Sequence, residues 1–452
     1  MLVTDSRKVK KGDTFIALRG VDTDGHDYIK AAIDNGASKI ICEEGNYSVE
    51  TVRVDNTNQY YLDYIYNTYY DKIRDLKLIG VTGTSGKTTT CFLVYNMLKD
   101  LGCKVAYIGT IGFYMDDFVR ELNNTTPLID ELYEILSECK DNGMEYVVME
   151  VSSHALDLNR VYGLEFDACG FTNISQDHLD YHKTIEAYAS CKVKLFHMLR
   201  GNRNCVINID DDHSGMFLVE GNNNVTISEN HGDVSIYDIS LTNLGIDFKF
   251  DYLGKSYSKT IDMVGKYNIY NYMMAVMLIN SFGFSIDSIL ELDVKAPRGR
   301  MEMVKFGTNS IFVDYAHKPD AVKKVLDSAH EFCKGRIITI IGCGGNRDRL
   351  KRPIMGGIAS DNSDYVILTN DNPRNEDPEL IMKDILEGVH NDNYEVIPDR
   401  KEAINKGVSM LDNNDVLLIL GKGHEDYQII KGVKYHLDDM ECVNEAIKKA
   451  SV

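Results

Sequence analysis

One pattern constrains this chain more than any other. Unbroken runs of β-branched and aliphatic residues end abruptly in glycine and a polar cluster: "LKLIGVTG", "EYVVMEVSSH", "NCVINID", "RIITIIGCGG", "DYVILTNDNPR" and "DVLLILGKGHE". A strand that is apolar at every position has both faces buried. Helical stretches lie between the runs, so the sequence predicts an α/β protein with parallel sheets covered on both sides. In such sheets ligands bind beyond the carboxyl ends of the strands, where Gly, Asp, His and Arg cluster here. With 452 residues the chain is too long for one core. Changes of pattern near residues 72 and 296 divide it into three expected domains, 1–72, 73–296 and 297–452.

Charge narrows the choice of partners. The formal net charge is -20, which argues against sequence-independent nucleic-acid binding, a task for basic surfaces. Any phosphate group must therefore be held by local donors. No apolar run approaches the ~18 residues of a membrane span, and the first residues lack a signal-peptide core, so no membrane insertion is expected. The ten cysteines are scattered without CxxC spacing; reduced thiols and a cytoplasmic location are expected.

The stretch "LIGVTGTSGKTTTCFLVYNML" supplies strand, glycine loop and helix in the order a phosphate site requires. Gly80, Gly83 and Gly86 are expected to let backbone N–H groups approach phosphate oxygens, Lys87 to reach the β- and γ-phosphates, and Thr88 to hold Mg²⁺. The pattern departs from GxxxxGK[ST], because position 81 is valine. An ATP or GTP site is still expected. Glu150 closes the run "VVMEVSSH", where its carboxylate would complete a Mg²⁺ shell or simply reach water. No NKxD base-reading sequence follows.

Arg374 poses a separate question. It sits in "TNDNPRNEDPEL" among Asp371, Glu376, Asp377 and Glu379. Either it neutralises these neighbours as a surface ion pair, or it awaits an anion from outside the chain.

The ordered motifs "GVTGTSGKTT", "NNTTP", "MEVSSHAL", "FTNISQDHLDYH", "GKYNIYN", "GRME", "VDYAHKPDA", "GCGGNRDRLKRP", "DNPRNEDP" and "GKGHEDYQI" closely resemble the Mur ligase family, in its branch that makes a muramoyl tripeptide, over about residues 80 to 437. The resemblance implies an N-terminal UDP-substrate domain, a central P-loop ATPase-like domain and a C-terminal Rossmann-like domain that brings the amino acid. It implies an ADP-forming amide ligase of peptidoglycan synthesis, serving cell-wall biogenesis, cell shape and division. ATP would phosphorylate the carboxylate of UDP-N-acetylmuramoyl-L-alanyl-D-glutamate, and meso-diaminopimelate would attack the acyl phosphate. A monomer working on small molecules is expected.

Residue roles follow by the same resemblance. Gly83, Thr84, Ser85, Gly86, Lys87, Thr88 and Thr89 would hold ATP, with Asn268 and Asn271 at the adenine and Arg300, Asp314 and His317 closing over it. Thr88, Glu150, His178 and Lys192 would hold Mg²⁺, with Lys192 carbamylated to N6-carboxylysine; Lys194 is the competing candidate. Lys87, His178 and Lys192 form the catalytic set. Ser6, Asn124, Thr125, Thr126, Ser152 and Arg160 would grip the UDP-linked substrate. Arg347, Asp371, Asn372, Pro373, Arg374, Gly421 and Glu425 would receive the amino acid. On the residues themselves, without the resemblance, Lys192 reads as a solvated helix lysine, and Asn268 also fits a helix cap. The element "TDSRKV" begins at residue 4, earlier than in the family, and "GVDTDGHDY" matches the uridine pocket only loosely, so a shortened N-terminal domain is expected. L-lysine or another amine or acceptor, and a non-catalytic nucleotide-binding relative, are the alternatives.

Overall fold

The computed structural model describes residues 2–20, 23–294 and 296–450; Val21 and Asp22 of the loosely matching "GVDTDGHDY" lie outside the described residues. The chain divides into two compact units: Met1–Leu76 with Thr126–Glu145 and His154–Leu164, and Lys77–Thr125 with Tyr146–Ser153 and Glu165–Val452.

In the first unit the strands Leu2–Val3, Thr14–Ile16, Lys39–Cys42 and Glu50–Arg53 form a parallel four-stranded sheet in that order. Phe15, Ile29, Ala32 and Ile40 fill the space beneath it. The helix Thr57–Ile73 starts where the Asn56 side chain accepts from the Gln59 N–H at 2.9 Å, the usual way to satisfy an orphan donor of a first turn. This helix packs on Ile129–Asp141, with the Tyr69 and Tyr133 rings 6.1 Å apart.

The second unit carries the runs that opened the sequence. Its eleven-stranded sheet has a parallel centre, in spatial order Val234–Thr242, Asn223–Ser228, Leu199–Asn208, Phe166–Phe171, Lys77–Thr82, Tyr146–Glu150 and Val105–Gly109. Antiparallel strands extend both edges. Its six-stranded sheet pairs Glu302–Phe306 antiparallel with Asn309–Asp314, then runs parallel through Val416–Leu420, Ile337–Ile341, Tyr365–Leu368 and Tyr394–Val396. The continuous runs are explained here. Phe312, Leu418 and Ile341 enter the core on one face, while Ile311, Val313, Leu417, Ile419, Ile338 and Ile340 enter the core on the other. Each such side chain contributes about 1.5–3 kcal/mol by leaving water, and no position is left to face solvent. The α/β architecture with parallel-rich sheets is the one the sequence predicts. Among the described residues no helix is long and apolar enough to cross a membrane.

Candidate active site

The phosphate loop opens where the strand Lys77–Thr82 stops pairing. Gly80 is not part of it, contrary to expectation. It lies inside the strand between Met149 and Cys169, and a Cβ there would meet the Phe166 ring at 2.9 Å. Its lack of a side chain serves packing. Gly86 is the glycine the loop requires. Its φ is 86°, a left-handed value, and an added Cβ would lie 2.3 Å from Asn271 Oδ1. The helix Lys87–Asp100 follows directly. The loop is braced by "FTNIS": Thr84 N donates to Asn173 O at 2.8 Å, Ser85 N to Asn173 Oδ1 at 3.0 Å, and Thr172 Oγ1 to Ser85 O at 2.7 Å.

Glu150 does not reach water. It is fully buried and accepts from Tyr107 OH at 2.6 Å, Thr110 N at 2.8 Å, Thr110 Oγ1 at 3.2 Å and Thr88 Oγ1 at 2.9 Å. These donors fix the carboxylate against the first turn of the helix. Lys87 Nζ donates to the Gly83 and Thr84 carbonyls, both at 2.8 Å. Burial pulls its pKa below the usual lysine range, with Glu150 opposing.

Lys192 is 1% exposed, whereas Lys194 is exposed. The amine of Lys192 lies 4.5 Å above the Tyr188 ring and donates to Gly83 O at 2.9 Å. Burial, then the nearby Lys87 charge, holds its pKa well below that of a free lysine. Desolvation disfavours the charged form of such an amine. His178 stands at the start of the helix Leu179–His182 with φ 53°, its ring 6.3 Å from that of Tyr188 and Nε2 3.6 Å from Asp177 Oδ2. Among the described residues no group of three or more His, Cys, Asp or Glu side chains could hold a metal.

Two cavities in this unit gather most of the candidate site residues. One of about 830 Å³ is lined by Thr84 through Thr89, Thr110, Thr125, Glu150, Arg300, Asp314, Tyr315, His317 and Lys318, a volume suited to a small-molecule ligand. Asp314 accepts from Met301 N and Ala316 N, both at 2.8 Å, and burial raises its pKa. The Arg300 guanidinium sits 5.3 Å from the Tyr315 ring centre. Burial holds the His317 imidazole below its ordinary pKa, and Nδ1 lies 2.8 Å from Tyr315 O. Asn268 and Asn271 are absent from this lining. Both are buried behind the loop, Asn271 Nδ2 donating to Asn268 Oδ1 at 2.9 Å and Asn268 Nδ2 to Val264 O at 2.7 Å. Nor does Asn268 cap its helix, which begins at Tyr267 after Lys266.

The other cavity, about 640 Å³, is lined by Arg347, Asp371, Asn372, Arg374, Gly421 and Glu425, together with Tyr315, His317 and Lys318. Six residues separated by up to 78 positions are gathered here; Pro373 is not among the lining. The loops meet through glycines. A Cβ on Gly345 would lie 2.0 Å from Pro373 O, and Arg374 Nη1 donates to Gly345 O at 2.9 Å. Among the described residues Arg374 makes no ion pair, although it stands amid acids. Glu376 pairs with the fully buried Arg352 at 2.9 Å, and Asp377 accepts from Glu379 N at 3.0 Å to cap the helix Pro378–Leu386. Glu425 accepts from Asn372 Nδ2 at 2.7 Å; burial, then Asp371, raises its pKa.

Of the remaining candidates, Asn124, Thr125 and Ser152 belong to the second unit, where Thr125 Oγ1 lies 3.0 Å from Thr110 Oγ1. Ser6, Thr126 and Arg160 belong to the first, where Arg160 Nη1 donates to Thr126 O at 3.0 Å. Ser6 borders a cavity of about 490 Å³ with Asp5, Arg7 and Tyr28. The Arg7 guanidinium and N–H hold the Asp5 carboxyl down to about 2. Sequence reasoning missed Thr110, Tyr107, Tyr188 and Asn173. Thr110 lies at a glycine-flanked strand end and Asn173 within the motif "FTNISQDHLDYH"; Tyr107 and Tyr188 carried no local signal.

A glycine loop beside a buried carboxylate, and a second cavity lined by Arg347 and Arg374 that shares a wall with the first, mark an α/β protein of the nucleotide-binding class with two candidate small-molecule sites. The relatives make this specific. Residues 1–69 match the Mur ligase family, catalytic domain, residues 81–279 the Mur ligase middle domain, and residues 299–423 the Mur ligase, glutamate ligase domain. The chain is 41% identical over 458 residues to the UDP-N-acetylmuramoyl-L-alanyl-D-glutamate--2,6-diaminopimelate ligase of Clostridium botulinum, covering 98% of this chain and 94% of that protein. It is 42% identical to the protein of the same name from Fusobacterium nucleatum, covering 98% and 93%. A solved ligase of that name superposes with TM-score 0.73 at 31% identity, over 100% of this chain and 95% of the other. The MurF ligase of Thermotoga maritima, solved with ADP, shares the fold at TM-score 0.59 and 19% identity, over 99% and 97%. The chain belongs to the Mur ligase family.

Proposed function

We propose that the protein is the ATP-dependent ligase that joins meso-diaminopimelate to UDP-N-acetylmuramoyl-L-alanyl-D-glutamate in peptidoglycan synthesis. The observation that carries this is the shared wall: Tyr315, His317 and Lys318 line both the phosphate-loop cavity and the cavity of Arg374. A nucleotide and a zwitterionic amine can thus stand on either side of one strand end. ATP phosphorylates the free carboxylate of the dipeptide. The amine then attacks the acyl carbon, forming C–N, losing a proton and expelling phosphate as C–O breaks. Such transfer depends mainly on positioning and charge neutralisation.

On this assignment Gly83 to Thr89 cradle the ATP phosphates, with Lys87 balancing their charge. Arg300, Asp314 and His317 close the cavity, and Asn268 and Asn271 act from behind the loop. The Thr88 hydroxyl and Glu150 carboxylate are hard oxygen donors side by side, the set Mg²⁺ prefers. A Mg²⁺ ion held by Thr88 and Glu150 would supply positive charge to the ATP phosphates. His178 and Lys192 would serve a second ion once CO₂ has added to the Lys192 amine, forming N–C with loss of one proton, a step the amine's burial favours. Asn124, Thr125 and Ser152 in the second unit, and separately Ser6, Thr126 and Arg160 in the first, are assigned to contacts with the UDP-linked acceptor. Arg347 and Arg374 receive carboxylates of the amine substrate, with Asp371, Asn372, Gly421 and Glu425 around its ammonium groups. The three family matches support assigning residues 1–72, 73–296 and 297–452 to acceptor, ATP and amino acid. The working unit on this reading is a monomer. Ten free cysteines suit the cytoplasm.

Phosphate release tests the assignment: ATP and the UDP-linked dipeptide, offered meso-diaminopimelate, LL-diaminopimelate or L-lysine. Release is expected only with acceptor and amine together, fastest with the meso isomer. Release without an amine, or none with any, would overturn it.

A further inference from the structure

The hairpin Tyr427–Ile430 with Val433–His436 stands apart from the larger sheets, and none of the roles above uses it. Val433 and Tyr435 on its second strand are exposed. A two-stranded ribbon is marginal alone; this one is fastened along its first strand to Asp371–Arg374. Gln428 Nε2 donates to the Asp371 carbonyl at 2.6 Å, and Ile429 N donates to Asn372 Oδ1 at 2.7 Å. Arg374 N donates to the Ile429 carbonyl at 2.8 Å, and Lys431 N to the Arg374 carbonyl at 2.6 Å. Pro373 has no N–H to offer. The segment is thus held at both ends.

The hold has a consequence at Arg374, whose φ is 53°. Residues with a Cβ seldom take the left-handed region, and side-chain direction follows the backbone. If Arg374 relaxed to an ordinary negative φ, its guanidinium would swing away from Gly345 O and from the cavity. Three of the four hairpin bonds use a backbone N–H of the hairpin or of Arg374, and substitution leaves such groups in place. Gln428 alone supplies a side-chain donor.

We propose that Gln428 is a specificity-positioning residue. Its carboxamide fixes the Asp371 end of the segment, so that Arg374 stays aimed at the distal carboxylate of the incoming amine. Gln428 need not touch the substrate. The inference rests on the proposed diaminopimelate specificity and deepens it. A donor is what the site requires: Gln428→Met keeps bulk and flexibility without an N–H, and Gln428→Glu sets an acceptor against a carbonyl.

The test is steady-state kinetics of wild type, Gln428→Met, Gln428→Glu, Arg374→Ala and the Gln428→Met/Arg374→Ala double variant, with diaminopimelate, L-lysine, ATP and acceptor varied in turn. Loss of one positioning hydrogen bond predicts a rise of about ten-fold in KM for diaminopimelate in Gln428→Met and at least as much in Gln428→Glu. The kcat/KM preference over lysine should fall by a similar factor, with KM for ATP within about two-fold. In the Arg374→Ala background Gln428→Met should add almost nothing, because both act on one interaction. An unchanged preference, a parallel rise in KM for ATP, or full additivity would overturn the proposal. So would failure of both Gln428 variants to fold, which would make the residue a stability determinant. If the wild type itself shows no preference for diaminopimelate, the proposed function has failed first.

Discussion

Replacing Arg374 by alanine tests the centre of the proposal. The wild-type guanidinium has one nitrogen engaged, Nη1 on Gly345 O at 2.9 Å, and no carboxylate partner among the described residues. Two of its acidic neighbours are committed elsewhere, Glu376 to Arg352 and Asp377 to a helix N-terminus. The remaining N–H groups are therefore available to a carboxylate at the far end of the amine. A hydrogen bond to a charged group contributes about 1.5–3 kcal/mol, and a two-point contact lies at the upper end. Three kcal/mol is about a 100-fold change. Arg374→Ala should thus lower kcat/KM for diaminopimelate about 100-fold, chiefly through KM, and leave that for lysine nearly level. KM for ATP should stay within about two-fold. Stability should drop by about 1.5–3 kcal/mol, the loss of one hydrogen bond from a charged donor to the Gly345 carbonyl. The assay is coupled phosphate release with each amine titrated at saturating ATP and acceptor, plus a urea melt. If diaminopimelate and ATP suffer together, or the preference over lysine survives, Arg374 supports the loop and does not recognise the amine.

Three further changes probe other parts of the site. Glu150→Gln places an amide among Tyr107, Thr88 and both donors of Thr110; a donor facing donors should cost about 1–3 kcal/mol in a urea melt and move the Mg²⁺ dependence of phosphate release to higher concentration. Gly345→Ala puts a Cβ 2.0 Å from Pro373 O; the two binding loops must part, so KM for diaminopimelate should rise while KM for ATP stays level. Burial, then Arg300 and Arg298, holds His424 down to about 4 from 6.5. The unfolded chain takes up that proton more readily, so the stabilisation is complete above pH 6.5 and is lost as pH falls through 4. The loss is about 3 kcal/mol at most. Urea melts of wild type should fall more steeply across that interval than those of His424→Gln; parallel profiles would show that His424 is not the group responsible.

What could be seen in the sequence was what depends on near neighbours. The fully apolar runs announce two-sided burial because every residue of a strand such as Val416–Leu420 enters one core or the other. The phosphate loop was visible because strand, glycine and helix are contiguous. Gly80 misled because a glycine beside the loop and one packed under the Phe166 ring look the same in one dimension. Lys192 was ambiguous for the opposite reason: burial of a helical lysine depends on Tyr188 and the Gly83 carbonyl, and no local pattern records Gly83, 109 residues away. The four acids around Arg374 suggested self-neutralisation. Glu376 instead satisfies Arg352, whose "KRP" setting reads as solvent-exposed basic sequence although the side chain is fully buried. Charge pairing is decided by the packing of loops, and sequence proximity only sets the candidates.

Why both cavities share Tyr315 to Lys318 follows from strand register. Asp314 pairs in parallel with Leu420 as the last residues of adjacent strands, and Gly421 N donates to Asp314 O at 3.1 Å. "YAHK" and "GKGHE" therefore leave the sheet side by side, one towards the phosphate loop and the other towards Arg374. Sliding one strand along its neighbour would part these segments, and it would also pull Val313 and Ile419 out of the core they share. The separation of the two cavities is thus set by hydrophobic packing, without reference to either ligand. A reaction that brings an amine up to an acyl phosphate gains from such a fixed separation, because the entropy of bringing the two together is already met by folding.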